Sequence, residues 1–125
     1  MIETQGRVRA WEDRYRQGRT GWDRGAVSPA LLHWLDDGLV PQGRLLVPGC
    51  GHGHEVEALV RAGCRVTAVD IAPTPVLTLM ARLADGGLHA NVVQADLLRW
   101  TPAAAFEAIY EQTCLCALYP DVWVD

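Results

Sequence analysis

Lysine is absent from this 125-residue sequence; all eleven basic side chains are arginines. That absence excludes a lysine Schiff base and a phosphate-loop lysine. Positive charge is scarce overall, with a net charge of −4, so the concentrated basic face that a nucleic acid requires is not expected. No apolar run approaches the roughly twenty residues of a membrane span, and no charged-then-apolar leader starts at Met1. Neither a membrane nor an export route is therefore expected. Four cysteines, Cys50, Cys64, Cys114 and Cys116, include no C-x-x-C pair, and they read as reduced thiols of a cytoplasmic protein. Repeats, low-complexity tracts and linkers are missing too. What remains is an ordinary globular composition, half apolar, sufficient for a single domain with one core.

The chain changes period part-way along. "VRAWEDRYRQG" reads as a helix closed by Gly18, with Trp11 and Tyr15 one turn apart on one face. "RTGWDRGAV" is a glycine-punctuated loop. "SPALLHWLDDG" reads as a second helix, with Ser28 as its cap, Pro29 in its first turn and Gly38 at its end. After it, short apolar runs alternate with helical segments: strands in "RLLV", "RVTAVDI", "ANVVQAD" and within "FEAIYEQTCLCAL", helices in "HEVEALVRAG" and "TPVLTLMARLADGG". Such alternation predicts right-handed crossovers and an α/β fold with a parallel, doubly wound sheet.

In sheets of this kind ligands bind beyond the carboxyl ends of the strands, and the turn after the first strand is the favoured place. "LLVPGCGHGHEVEAL" sets Gly49, Gly51 and Gly53 in that turn. Without Cβ atoms a ligand can approach the backbone closely, and the next helix offers unpaired N–H groups. Asp70 ends the second strand, nineteen residues after Gly51, where an acid can accept both hydroxyls of a ribose. Asp96 ends the third strand, within reach of an adenine. The three features form an adenosine-binding series. A dinucleotide site prefers G-x-G-x-x-G, and here the third glycine position is His54. The G-x-G-x-G spacing is instead usual for binding S-adenosyl-L-methionine (SAM), which has no pyrophosphate.

Taken together, "WEDRYRQGRTGWDRG", "LLVPGCGHGHEV", "VTAVDIAP", "QADLLRW" and "YEQTCLCALYP" resemble the thiopurine and thiol/halide methyltransferase family of SAM-dependent enzymes, over nearly all of the chain. The W-x-x-x-[WY]-x6-W-D-x-G run joined to V-P-G-C-G is far more specific than a glycine loop. The resemblance implies a Rossmann-like class I methyltransferase fold with an N-terminal helical arm over residues 1–27. It implies that Trp11, Tyr15 and Trp22 line the cofactor site from that arm. Gly49, beside Gly51, would approach the methionine part, Asp70 the ribose, Ala95 with Asp96 the adenine, and Gln112 the reacting end. Three positions depart from the pattern: Tyr15 stands where many members have tryptophan, His52 replaces a glycine, and Gln112 stands where some members have an aromatic residue.

Plainer readings exist for each residue. Trp11 and Tyr15 read equally as the buried stripe of a helix. Cys50, His52 and His54, with Asp70 as a fourth ligand, would make a metal site only if the glycine loop held them rigidly, and no metal is expected. Asp70 and Asp96 also suit helix caps. Arg14, Arg16, Arg19 and Arg24 read as a solvated face. No general base stands out, which fits a soft, small-molecule methyl acceptor such as a thiol, thiopurine, thiocyanate or halide. A non-catalytic SAM-binding module or inactive fragment is the alternative. The family fold has seven strands and this sequence supplies four, so residues 1–125 are expected to form a single, incomplete SAM-binding domain, with self-association through an exposed fourth strand.

Overall fold

The computed structural model of the chain describes residues 4–20 and 25–111. Eight elements follow in order: α1 (Thr4–Arg16), α2 (Pro29–Asp36), β1 (Arg44–Pro48), α3 (His54–Arg61), β2 (Arg65–Asp70), α4 (Pro73–Asp85), β3 (Asn91–Gln94) and β4 (Ala108–Ile109). All strand pairs are parallel, and the sheet order is β3-β2-β1-β4. The α/β reading of the sequence therefore holds.

The order reverses beside β1. From β1 the chain steps outward through β2 to β3, then returns to the opposite side of β1 as β4. A crevice at such a switch point is the ligand site of open parallel sheets. The central strands are buried on both faces: in β1 Leu45, Leu46, Val47 and Pro48 are all buried, in β2 all five residues from Val66 to Asp70 are, and Leu45 pairs with Val66 and Val47 with Ala68. Leu45 and Val47 of β1 and Val66 and Ala68 of β2 share a core with Leu31 of α2, Val56 and Leu59 of α3, and Leu79 and Leu83 of α4. Those three helices thus pack against one face of the sheet.

Local chemistry ends the elements as expected, with one exception. Gly18 has a positive φ of 69°, and the Arg19 N–H closes on the Arg14 carbonyl at 2.8 Å. Gly38 does the same after α2. Ser28 stands at the N-cap of α2 but makes no side-chain cap bond. Its N–H donates instead to the Glu55 carboxylate at 3.2 Å, and its hydroxyl engages Tyr110 beyond β4, so it ties the chain to α3 and β4. Among the described residues no helix is long and apolar enough to cross a membrane.

Candidate functional site

The turn after β1 is built on left-handed backbone. Gly51 and Gly53 have φ values of 54° and 74°, a region that costs a side-chain-bearing residue roughly 1–2 kcal/mol. At Gly53 space is limiting as well: a Cβ would lie 2.6 Å from Cδ1 of the buried Leu79. Two neighbours hold the turn. The Cys50 N–H donates to the Val69 carbonyl at 3.1 Å, and the Arg82 guanidinium of α4 donates to the His52 carbonyl. Gly49 is exposed at the mouth of the turn.

Asp70 ends β2 directly beside this loop. One carboxylate oxygen accepts the Gly51 N–H at 2.9 Å and the other accepts the Ala72 N–H at 3.0 Å. Burial pushes its carboxyl above the ordinary range, while backbone N–H groups of Ala72, Gly51 and Ile71 and the nearby His52 pull the other way. A carboxylate has about four acceptor positions; with the Ile71 N–H beside these two bonds, about one is left for a ligand hydroxyl. The next strand lies alongside, since the Ala95 N–H donates to the Asp70 carbonyl at 2.9 Å.

Asp96 is more heavily engaged. Its Oδ2 accepts from the Thr4 hydroxyl at 2.8 Å and from Arg7 at 2.6 Å, both in α1, and its Oδ1 accepts the Leu98 N–H at 3.1 Å. The Arg7 and Asp96 side chains are only 8% and 3% exposed, which makes this a buried ion pair. Burial alone would raise the Asp96 carboxyl. The bonds from Thr4, Arg7 and Leu98 and the Arg7 charge outweigh it and hold the group below the ordinary range.

α1 lies against the body through charged residues. Its only buried side chains are Arg7 and Glu12. Glu12 accepts the Thr74 N–H at 2.9 Å and the Thr74 hydroxyl at 2.5 Å, at the N-terminus of α4, and is paired with Arg16 at 2.9 Å. Here too burial raises the carboxyl, and the Thr74 bonds and Arg16 together bring it below its usual value. On the same helix Tyr15 stands edge-on to His52 of the glycine loop, ring centroids 5.2 Å apart. Trp11 is half-buried, with the Arg14 guanidinium 5.1 Å from its ring centroid.

The fold thus gathers Trp11, Tyr15, Gly49, Gly51, Asp70, Ala95 and Asp96 around the carboxyl ends of β1, β2 and β3. Trp22 and Gln112, also expected from the sequence, lie outside the described residues, as do Arg24, Cys114 and Cys116. His52 and His54 are neighbours, centroids 6.4 Å apart, yet among the described residues no group of three or more histidine, cysteine, aspartate or glutamate side chains converges. Four participants escaped the sequence reading: Thr4, Arg7, Glu12 and Thr74. A signal for Arg7 existed, because it precedes Trp11 and Tyr15 by one and two helical turns and must share their face.

A glycine turn and two acids at three successive strand ends, beside a reversal of strand order, define a class I methyltransferase type of α/β protein. A TehB-like SAM-dependent methyltransferase from Corynebacterium glutamicum shares this fold, with a TM-score of 0.65 at 22% identity over 90% of this chain and 61% of that one. The chain belongs to the thiopurine S-methyltransferase (TPMT) family, whose pattern matches residues 7–125. A probable thiol methyltransferase 2 of Arabidopsis thaliana is 33% identical over 90% of this chain and 50% of its own length. Thiocyanate methyltransferase 1 of Brassica oleracea is 31% identical over 97% of this chain and 53% of its own. A structure solved in work on the conversion of a disulfide bond into a thioacetal group during echinomycin biosynthesis superposes with a TM-score of 0.73 at 30% identity, over 81% of this chain and 42% of that one. The chain spans about half the length of the curated relatives it matches.

Proposed function

We propose that the chain carries the cofactor half of a SAM-dependent methyltransferase acting on a small soft nucleophile: a thiol, thiopurine, thiocyanate or halide. The observation that carries this reading is the Asp70 carboxylate, pinned at the end of β2 by the Gly51 and Ala72 amides, with the Ile71 amide beside them, and left with acceptor capacity for a ribose hydroxyl. The names of the relatives supply the acceptor class. SAM supplies a methyl group already activated on a sulfonium.

The chain's own residues then bind, orient and exclude water. Gly49 and Gly51 leave the methionine end a path along the backbone. Asp70 takes the ribose, and the adenine lies at Ala95 and Asp96, whose carboxylate keeps one of about four acceptor positions after Thr4, Arg7 and Leu98. Trp11 and Tyr15 of the arm, residues 1–27, cover the site, and the family resemblance adds Trp22, which lies outside the described residues; an aromatic face gains roughly 0.5–2 kcal/mol from a cation above it. Gln112, outside the described residues, is assigned to the reacting end by the family resemblance alone. Alignment of an activated donor with a soft nucleophile can remove roughly 7–11 kcal/mol of barrier, so a general base is not required. The setting we propose is the cytoplasm.

Nicotinamide-dependent oxidoreduction fits less well. The first turn of α3 carries Glu55 and Glu57, two acids where a pyrophosphate would need positive potential. A non-catalytic SAM-binding module is the other reading. Calorimetric titration with SAM, S-adenosylhomocysteine (SAH) and NAD, followed by methyl-transfer assays against thiols and halides, separates the three. Binding of NAD without SAH overturns the proposal; SAH binding without turnover leaves the binding module.

A further inference from the structure

The N-terminal helix is attached to the body by charge rather than by apolar burial. In α1 the two buried side chains are Arg7 and Glu12, while Val8, Trp11 and Tyr15 on the same face are only half-buried. Each charged residue meets a polar partner on a different element of the body. Arg7, helped by Thr4, pairs with Asp96 after β3. Glu12 accepts the N–H and hydroxyl of Thr74 at the start of α4. That same helix start also serves the site, because the Ala72 N–H is held by Asp70. Glu12 and Asp70 therefore share one helix N-terminus, two residues apart.

We propose that Arg7 and Glu12 are positioning residues, which hold α1 shut across the ends of β1 to β3 and so set how fast the cofactor is released. A helix docked by apolar area opens only by exposing that area. One docked by two polar latches opens with both partners regaining water, so the closed state is held by a modest margin. Removing one partner alone is different: it leaves its mate buried and uncompensated, and the closed state loses far more than the contact itself. The statement about release rests on the proposed SAM binding; the statement about the latches does not.

The test uses the full-length chain and two readouts. Hydrogen exchange without any ligand is measured for the parent, Arg7→Met, Glu12→Gln, Thr74→Val and the Glu12→Gln/Thr74→Val double variant. α1 amides should exchange about ten- to a hundredfold faster in Arg7→Met and Glu12→Gln, while the β1 and β2 amides stay within about twofold of the parent. Thr74→Val, which alters no residue of the arm, should speed the same amides, and the double variant should add little to Glu12→Gln. Unchanged α1 exchange, or fully additive effects, overturns the latches. Stopped-flow release of SAH, followed by tryptophan fluorescence, is the second readout. Glu12→Gln should raise the dissociation rate by at least about tenfold with little change in association. Faster arm exchange with unchanged SAH release overturns the positioning role. A parent that binds no SAH refutes the proposed function, and the exchange data still judge the latches.

Discussion

Asp70→Asn separates the folding role of this carboxylate from its proposed binding role. In the fold it serves Gly51 N–H and Ala72 N–H, with Ile71 N–H beside them, and its buried charge is unfavourable, since burial lifts its carboxyl above the ordinary value of 3.8. The sign follows: a carboxyl whose folded-state value is raised binds its proton more tightly in the native state, so the stability it contributes is lost as pH rises through that range. Asparagine removes the buried charge and keeps one acceptor for Ala72. It leaves the Gly51 N–H unpaired, at about 1–3 kcal/mol. The two effects oppose, and the thermal midpoint at neutral pH should move little. Binding has no such offset. Replacing charge-assisted bonds to a ribose diol by neutral ones, with one acceptor lost, should cost about 1.5–3 kcal/mol, or roughly ten- to a hundredfold in SAH affinity. Asp70→Ala, which orphans both amides as well, should abolish most binding. Calorimetry alongside thermal denaturation provides the assay. SAH affinity of a folded Asp70→Asn protein within about threefold of the parent would refute a ligand role for this residue.

Three further outcomes are expected. Gly53→Ala should destabilise by about 2–5 kcal/mol, from left-handed backbone strain and a Cβ driven onto Leu79; an unchanged unfolding midpoint would contradict the packing. Docking of α1 should weaken in acid: Glu12 and Asp96 have lowered carboxyls, so their contribution is complete above pH 4.5, the ordinary glutamate value, and is lost as pH falls below 3.8. Hydrogen exchange of α1 as a function of pH measures this, and a flat profile down to the acid unfolding transition counts against it. Among the described strands β4 is outermost beside β1, with Ile109 64% exposed, and we expect this edge to self-associate. Ile109→Lys should shift sedimentation toward monomer, whereas a parent already monomeric at micromolar concentration disproves the expectation.

The sheet and its glycine loop were legible in the sequence because their signals are local. Short runs such as "LLV" and "VTAV", with Thr67 their one polar side chain, suit a strand covered on both faces. Gly49, Gly51 and Gly53 mark a turn whose backbone other residues resist. Asp70 and Asp96 follow by counting to strand ends. The attachment of the N-terminal helix was legible only in the face that Arg7 shares with Trp11 and Tyr15. Arg7 and Glu12 look like solvent-facing charges in "RVRAWEDRYR", since charged side chains are seldom buried. Their partners, Asp96 and Thr74, lie 89 and 62 residues away, and nothing local predicts that the ends of β3 and α4 meet one helix. Ser28 makes the same point on a smaller scale: its residue type and place suit a cap, yet the arrival of Glu55 and Tyr110 gives it other partners. Short-range backbone preference determined where the elements begin and end. Only the folded sheet, by converging distant polar groups away from water, decided which charges are held and which are free to act.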